Sequence, residues 1–208
     1  MTIPEWLKIA RELHSMSQVG LEYAANGYET ERYKRLRELA AEIISKQSTL
    51  SQEEVLESFA MQPGYITPKI DVRAAVIREG KILLVKEVSD GHWSMPGGWA
   101  DVSDTPSQAI IREVREESGF DVKIVSLVGV YDANRVPQEE MMPFYHAYKL
   151  LFLCSITGGS ARASHETPDV AFFAPDDLPP ISIYRTNKEH VVDAFAQFEN
   201  GNSKAIFD

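Results

Sequence analysis

A single cysteine, Cys154, occurs in 208 residues, so no disulfide can form within the chain. It closes the apolar run Leu150-Leu151-Phe152-Leu153-Cys154, where an inert buried strand residue is expected and no histidine sits at a spacing that would activate a thiol. Runs of 18 or more apolar residues are absent, and the N-terminus lacks the apolar core of a signal peptide, so no membrane-spanning helix and a soluble, cytoplasmic protein are expected. Positive charge is scarce. Lys and Arg number 21 against 31 Asp and Glu, a formal net charge of −10, which argues against a general nucleic-acid surface because phosphate backbones demand clustered cations. An acidic protein that handles anionic substrates needs metal ions between the two. No internal repeat or low-complexity tract is visible.

What is present divides at about residue 65. Trp6, Ile9, Ala10, Leu13, Met16, Tyr23 and Ala24 recur at helical spacing, as do Tyr33, Leu36, Ala40, Ile43 and Ile44, and Asn26-Gly27 separates the two helices. Ser51-Gln52-Glu53-Glu54 has the form of a capping box and starts a short third helix through about Phe59. Pro63-Gly64 and Pro68 then read as a linker. Residues 1–65 therefore form a small helical domain, too small to bury its own apolar stripes well. It is expected to pack on the following domain or on a second copy of the chain. From residue 66 onward strands dominate. Ile70, Val72, Ala74 and Val76 alternate with other residues, a turn at Glu79-Gly80 follows, and further strands are expected near 82–85, 122–131, 145–156 and 170–173, with a closing helix over about 187–198. Mixed strands with one helix between and one after predict an α/β/α sandwich with a mixed sheet over residues 66–208.

The stretch Gly97–Phe120, GGWADVSDTPSQAIIREVREESGF, carries the chemistry. Thr105-Pro106-Ser107-Gln108 reads as a capping box with proline at the first helical position, and Gly119 as a left-handed stop. The helix between runs from about Pro106 to Glu117. At about 100° per residue, Glu113, Glu116 and Glu117 share one arc of its surface, while Ile110, Ile111 and Val114 point toward a core. Three carboxylates on one arc raise one another's pKa unless a cation neutralises them. Arg112, four residues before Glu116, can pair with it. One arginine does not balance three acids, and oxygen donors in this number suit Mg²⁺ or Mn²⁺. Pro96-Gly97-Gly98 upstream reads as a turn whose backbone can approach a ligand closely.

These residues resemble the signature of the Nudix hydrolases, G-x5-E-x7-R-E-U-x-E-E-x-G-U with U apolar, counted from Gly98. Every fixed position matches except that Asp104 stands where the first glutamate is usual. Six such matches would coincide by chance roughly once per ten million starting points. The resemblance implies a metal-dependent pyrophosphohydrolase in which Glu113, Glu116 and Glu117 supply metal carboxylates, the Gly98 carbonyl adds a ligand, and Arg112 orients the acids. Asp104, one methylene shorter, is expected to support the loop rather than bind metal. A base must take the attacking water's proton: one of the same glutamates, or Glu166 in the SHETPD loop. PKIDVRAAV, GHWSMPGGWADV and YHAYKLLFLC, together with the helical N-terminal segment, resemble a narrower group. Its members are described as CDP-choline or ADP-ribose pyrophosphatases and associated with homodimers.

Substrate choice must lie outside the signature. Trp93, Tyr131, Phe144 and Tyr145, with Asp132, Glu139 and Glu140 nearby, could form an aromatic cage for choline, making CDP-choline the first expectation. Arg73 and Arg135 could instead grip phosphate or ribose, which suits ADP-ribose or another sugar nucleotide. A non-catalytic sensor on the same fold is the rival class, although such proteins usually lose the helix carboxylates that this chain keeps.

Overall fold

The computed structural model describes residues 4–61, 64, 66–133, 146–201 and 204–207. Among the described residues the chain divides into two compact units, one of the residues up to Pro68 together with His146 and the other of the remainder from Lys69 on.

The first unit is helical, with α1 over Glu5–Tyr23, α2 over Gly27–Gln47 and α3 over Gln52–Ala60. Asn26 caps α2 by accepting from the Glu29 N–H at 3.0 Å, and Ser51 with Glu54 closes the expected box on α3; each satisfies a backbone donor that the first turn leaves orphaned. Gly20 lets α1 meet α2 closely, since a Cβ there would lie 2.2 Å from the Tyr33 ring. Ala10, Ala40, Ala41, Ile44, Val55 and Phe59 form a dry centre. His14 stacks on Phe59 with ring centroids 3.5 Å apart. The trio thus has a core of its own. What it leaves out is a stripe: Ile9, Met16 and Tyr23, seven residues apart on α1, are exposed, as is Tyr28.

The second unit contains β1 (Lys69–Arg78), β2 (Lys81–Lys86), β3 (Trp93–Ser94), α4 (Pro106–Ser118), β4 (Phe120–Asp132), β5 (Ala147–Gly159), β6 (Asp169–Phe173), α5 (Lys188–Asn200) and β7 (Ile206–Phe207). Strand order is β3-β2-β1-β5-β4-β7, with β6 paired to β2. β1 runs parallel to β5 and antiparallel to β2, so the sheet is mixed. Glu79 and Gly80, both at positive φ, form the β1–β2 turn.

Alternation along β1 decides the layers. Val72, Ala74 and Val76 face Ala109, Ile110 and Val114 of α4. Ala75 and Ile77 join Val191 and Ala194 of α5 on the other side. The sandwich is α/β/α, as expected. Ile111 departs from expectation: it is 39% exposed, because the apolar arc of α4 is filled by Ala109, Ile110 and Val114.

Pro96-Gly97-Gly98 bends at Pro96, as a turn should, and runs beside β1, with the Ala74 N–H donating to the Pro96 carbonyl at 2.9 Å, Val72 N–H to the Gly98 carbonyl at 2.9 Å, and Ala100 N–H to the Ile70 carbonyl at 3.0 Å. The unpaired edge of β1 before its hairpin with β2 supplies those partners, which the local sequence does not reveal. Gly97 takes φ of 143°, where a Cβ would fall 2.0 Å from the Val72 carbonyl oxygen.

Candidate active site

α4 begins and ends where the sequence places it. Thr105 and Gln108 form the capping box, Pro106 opens the first turn, and Gly119 at φ 77° stops the helix with its N–H on the Arg115 carbonyl. This helix carries Glu113, Glu116 and Glu117 past the glycine segment.

Glu117 is buried, and its carboxylate accepts the Gly97 N–H at 2.7 Å. Burial pushes its pKa up to about 8, against the pull of the Arg73 charge and of that N–H. Glu113 lies against Gly98, where a Cβ would come 3.3 Å from its Oε2. Burial raises its pKa too, with Arg112 working against the rise. Glu116 is more exposed. Two desolvated carboxyl groups beside a glycine backbone are short of positive charge, and that deficit is what a divalent cation corrects.

Arg112 gathers the remaining acids. Its Nη1 donates to Glu113 at 2.9 Å and to Glu116 at 3.2 Å, while its Nη2 lies 3.1 Å from Asp101 and 3.2 Å from Asp104. The pairing with Glu116 was expected; the link to Asp101 was not. Asp104 thus ties the loop ahead of α4 to the helix, and its shorter side chain suffices for that. Among the described residues no group of three or more His, Cys, Asp or Glu side chains stands ready as a cation cage. The all-oxygen donor set nevertheless suits Mg²⁺ or Mn²⁺, as do the desolvation of Glu113 and Glu117 and the approach of bare glycine backbone.

Other expected residues fall elsewhere. Glu166 is exposed and pairs with His165 at 3.3 Å; its loop is anchored to α4 because the neighbouring Thr167 hydroxyl donates to the Glu117 carbonyl at 2.6 Å. Arg73 is not a surface grip for phosphate: it is buried, with Nε on Asp71 at 3.0 Å and Nη1 on the Met95 carbonyl at 3.1 Å. Of the proposed aromatic cage, Trp93 packs edge-on to Phe173 and Tyr131 donates to Asp193 at 2.9 Å, both within the core under α5. That packing opposes their use as open ring faces. Asp132 is half-buried at the end of β4. Phe144, Tyr145, Arg135, Glu139 and Glu140 lie outside the described residues.

Sequence reasoning missed a charged cluster beneath the glycine segment. Lys149 of β5 is fully buried and pairs with Asp71. Glu87 forms an ion pair with Arg185 at 3.1 Å. The available signal was a lysine and an aspartate inside otherwise apolar strands, positions that isolated charges avoid.

Two family models match the chain: the UDP-X-like N-terminal oligomerisation domain over residues 4–59, and the NUDIX domain over residues 67–195. The chain belongs to the Nudix family. This Nudix hydrolase is 36% identical over 204 residues to the Bacillus subtilis protein YjhB, covering 98% of this chain and 97% of that one. It is also 28% identical over 140 residues to an ADP-ribose pyrophosphatase of Methanocaldococcus jannaschii, covering 66% of this chain and 78% of the relative. Among solved structures it is similar to a UDP-X diphosphatase (31% identity, TM-score 0.63, 98% of each chain). An ADP-ribose pyrophosphatase from Streptococcus suis shows 36% identity and a TM-score of 0.62, over 68% of this chain and 100% of that one. Among the described residues no helix is long and apolar enough to cross a membrane.

Proposed function

We propose that this enzyme hydrolyses the pyrophosphate of a nucleoside diphosphate joined to a sugar-type moiety, with ADP-ribose the foremost substrate, using Mg²⁺ or Mn²⁺. The observation that carries the reading is the delivery of the buried Glu117 and the part-buried Glu113 to the Gly97–Gly98 backbone by one capped helix. Glu113, Glu116 and Glu117, with the Gly98 carbonyl, would hold the metal. The Gly98 carbonyl already accepts from Val72 but keeps a second lone pair. A bound divalent ion would screen the phosphate oxygens and make the attacking water more acidic. Arg112 directs Glu113 and Glu116 and fastens Asp101 and Asp104 to α4. The proton from water goes to Glu166 or to one of the helix glutamates. The names of the related pyrophosphatases support ADP-ribose or a UDP-linked moiety. CDP-choline draws its remaining sequence support chiefly from residues outside those described.

The helical domain of residues 1–65 is proposed to join two copies through the exposed face of α1, in keeping with the family to which residues 4–59 match.

The test is a panel of ADP-ribose, UDP-sugars and CDP-choline at matched Mg²⁺, run with the wild type and Glu116→Gln. ADP-ribose or a UDP-sugar should be turned over fastest, and the substitution should lower kcat by about 100-fold or more, beyond the loss typical of a ligand's outer partners. No metal-dependent turnover on any member would defeat the enzymatic reading. CDP-choline as best substrate would restore the choline alternative.

A further inference from the structure

Gly97 and Gly98 have no side chains with which to fix their own conformation, yet two carboxylates of α4 depend on where their backbone lies. The clamps come from outside. β1 holds the segment by its backbone at Val72 and Ala74. One residue earlier, Met95 is held at both ends: its N–H donates to the Thr186 hydroxyl at 2.8 Å, and its carbonyl accepts from Arg73 at 3.1 Å. Arg73 is held in turn. Asp71 takes its Nε at 3.0 Å, and the buried Lys149 fixes the second oxygen of Asp71. On the far side Glu87 lies 4.0 Å from Nη1 and is itself held by Ser94 and Arg185.

We infer that Arg73 is a positioning residue for the hydrolysis: through the Met95 carbonyl it holds the glycine segment where the Gly97 N–H meets Glu117 and the Gly98 backbone meets Glu113. The inference rests on the proposed metal-dependent reaction and deepens it. Arg73 is buried and engaged by Asp71 and the Met95 carbonyl, so the role requires no contact with substrate or metal. An arginine suits the place because its planar fork serves Asp71 through one nitrogen and Met95 through another, whereas an ammonium is a point charge without fixed directions. Burial makes the arrangement unforgiving, since an unserved Met95 carbonyl would lie in dry surroundings.

The experiment uses the full chain with three substitutions. Arg73→Lys keeps charge without the fork, Arg73→Gln keeps a donor without charge, and Arg73→Met keeps neither. Readouts are the Kd for Mn²⁺ alone by electron paramagnetic resonance, kcat and KM on ADP-ribose with Mg²⁺, and Tm. In the folded Lys variant, Mn²⁺ binding should weaken and kcat fall by about 10- to 100-fold, the range typical of outer partners of metal ligands. KM should stay within about threefold, since Arg73 makes no substrate contact. Arg73→Gln should retain more Mn²⁺ affinity than Arg73→Met. A loss of Tm with Mn²⁺ affinity and kcat within about twofold of wild type in any folded variant would overturn the inference. A rise in KM with kcat preserved would do the same and return Arg73 to a substrate-binding role. If Met does not fold, Lys and Gln decide. Wild type that binds no Mn²⁺ would overturn both this inference and the reaction it rests on; wild type that binds it while the variants match would overturn this inference alone.

Discussion

At the scale of single residues, Gly97 and Gly98 are glycines for different reasons. Gly98 leaves room for the Glu113 carboxylate, and a methyl there would meet the tip of a side chain that can shift. Gly97 has no such latitude. Its φ of 143° and the Val72 carbonyl oxygen only 2.0 Å from where a Cβ would lie set backbone against any side chain. Gly97→Ala should therefore cost about 1–3 kcal/mol of stability from backbone strain alone, seen as a lower urea midpoint. It should also reduce Mn²⁺ affinity, because the segment must move away from Glu117. An unchanged urea midpoint would show that the segment is looser than its hydrogen bonds imply. The same scale explains Asp104: reaching Arg112 at 3.2 Å needs no longer side chain.

Among the elements, the helical trio carries its own pH response. His14 sits in the dry interface with Phe59, and burial, with the nearby Arg37 charge second, lowers its pKa from 6.5 to about 4. The fold therefore keeps the ring neutral, whereas the unfolded chain binds a proton below pH 6.5. Where the unfolded state binds more protons, stability rises with pH. The contribution is complete above pH 6.5 and is lost progressively as pH falls toward 4. Thermal melts across pH 7 to 4 should show the helical signal weakening in that window, and His14→Phe should flatten the part due to this residue. An identical pH slope in the variant would assign the loss to other groups. The helix α4 behaves differently: its cap and stop were legible locally, since each depends on neighbours within four residues, whereas its apolar arc runs through Ala109 in place of the expected Ile111.

For the molecule as a whole, the exposed stripe Ile9, Met16 and Tyr23 is the least settled surface of the first unit. Met16 also lines an open depression with Val19, Gly20, Tyr23 and Tyr33. If that face joins two copies, Met16→Glu in the full chain should shift light-scattering mass from dimer toward monomer at micromolar concentration, because a charge buried without a partner is costly. A dimer unaffected by this change would place the contact elsewhere. With a net charge of −10, the molecule also repels free nucleotides at long range, so activity on anionic substrates should depend on divalent metal for approach as well as chemistry.

Much of the site was readable because it is local. A signature spanning Gly98 to Phe120 places three acids on one arc of a helix whose ends are marked by Thr105 and Gly119, and short-range geometry does the rest. Periodicity likewise foretold the helical trio and the layered sheet, though not short pairings such as β3 and β7, whose two residues each carry no pattern. What only tertiary structure decided depends on residues far apart in the chain. Trp93 and Tyr131 became core because α5 covers them. Arg73 became a clamp rather than a grip because Met95 and the Asp71 that Lys149 holds converge on it. Gly97 and Gly98 came to lie beside β1 because its edge there was open. Local sequence specifies which groups an element offers; the partner each group meets is settled by long-range packing, which no spacing along one chain encodes.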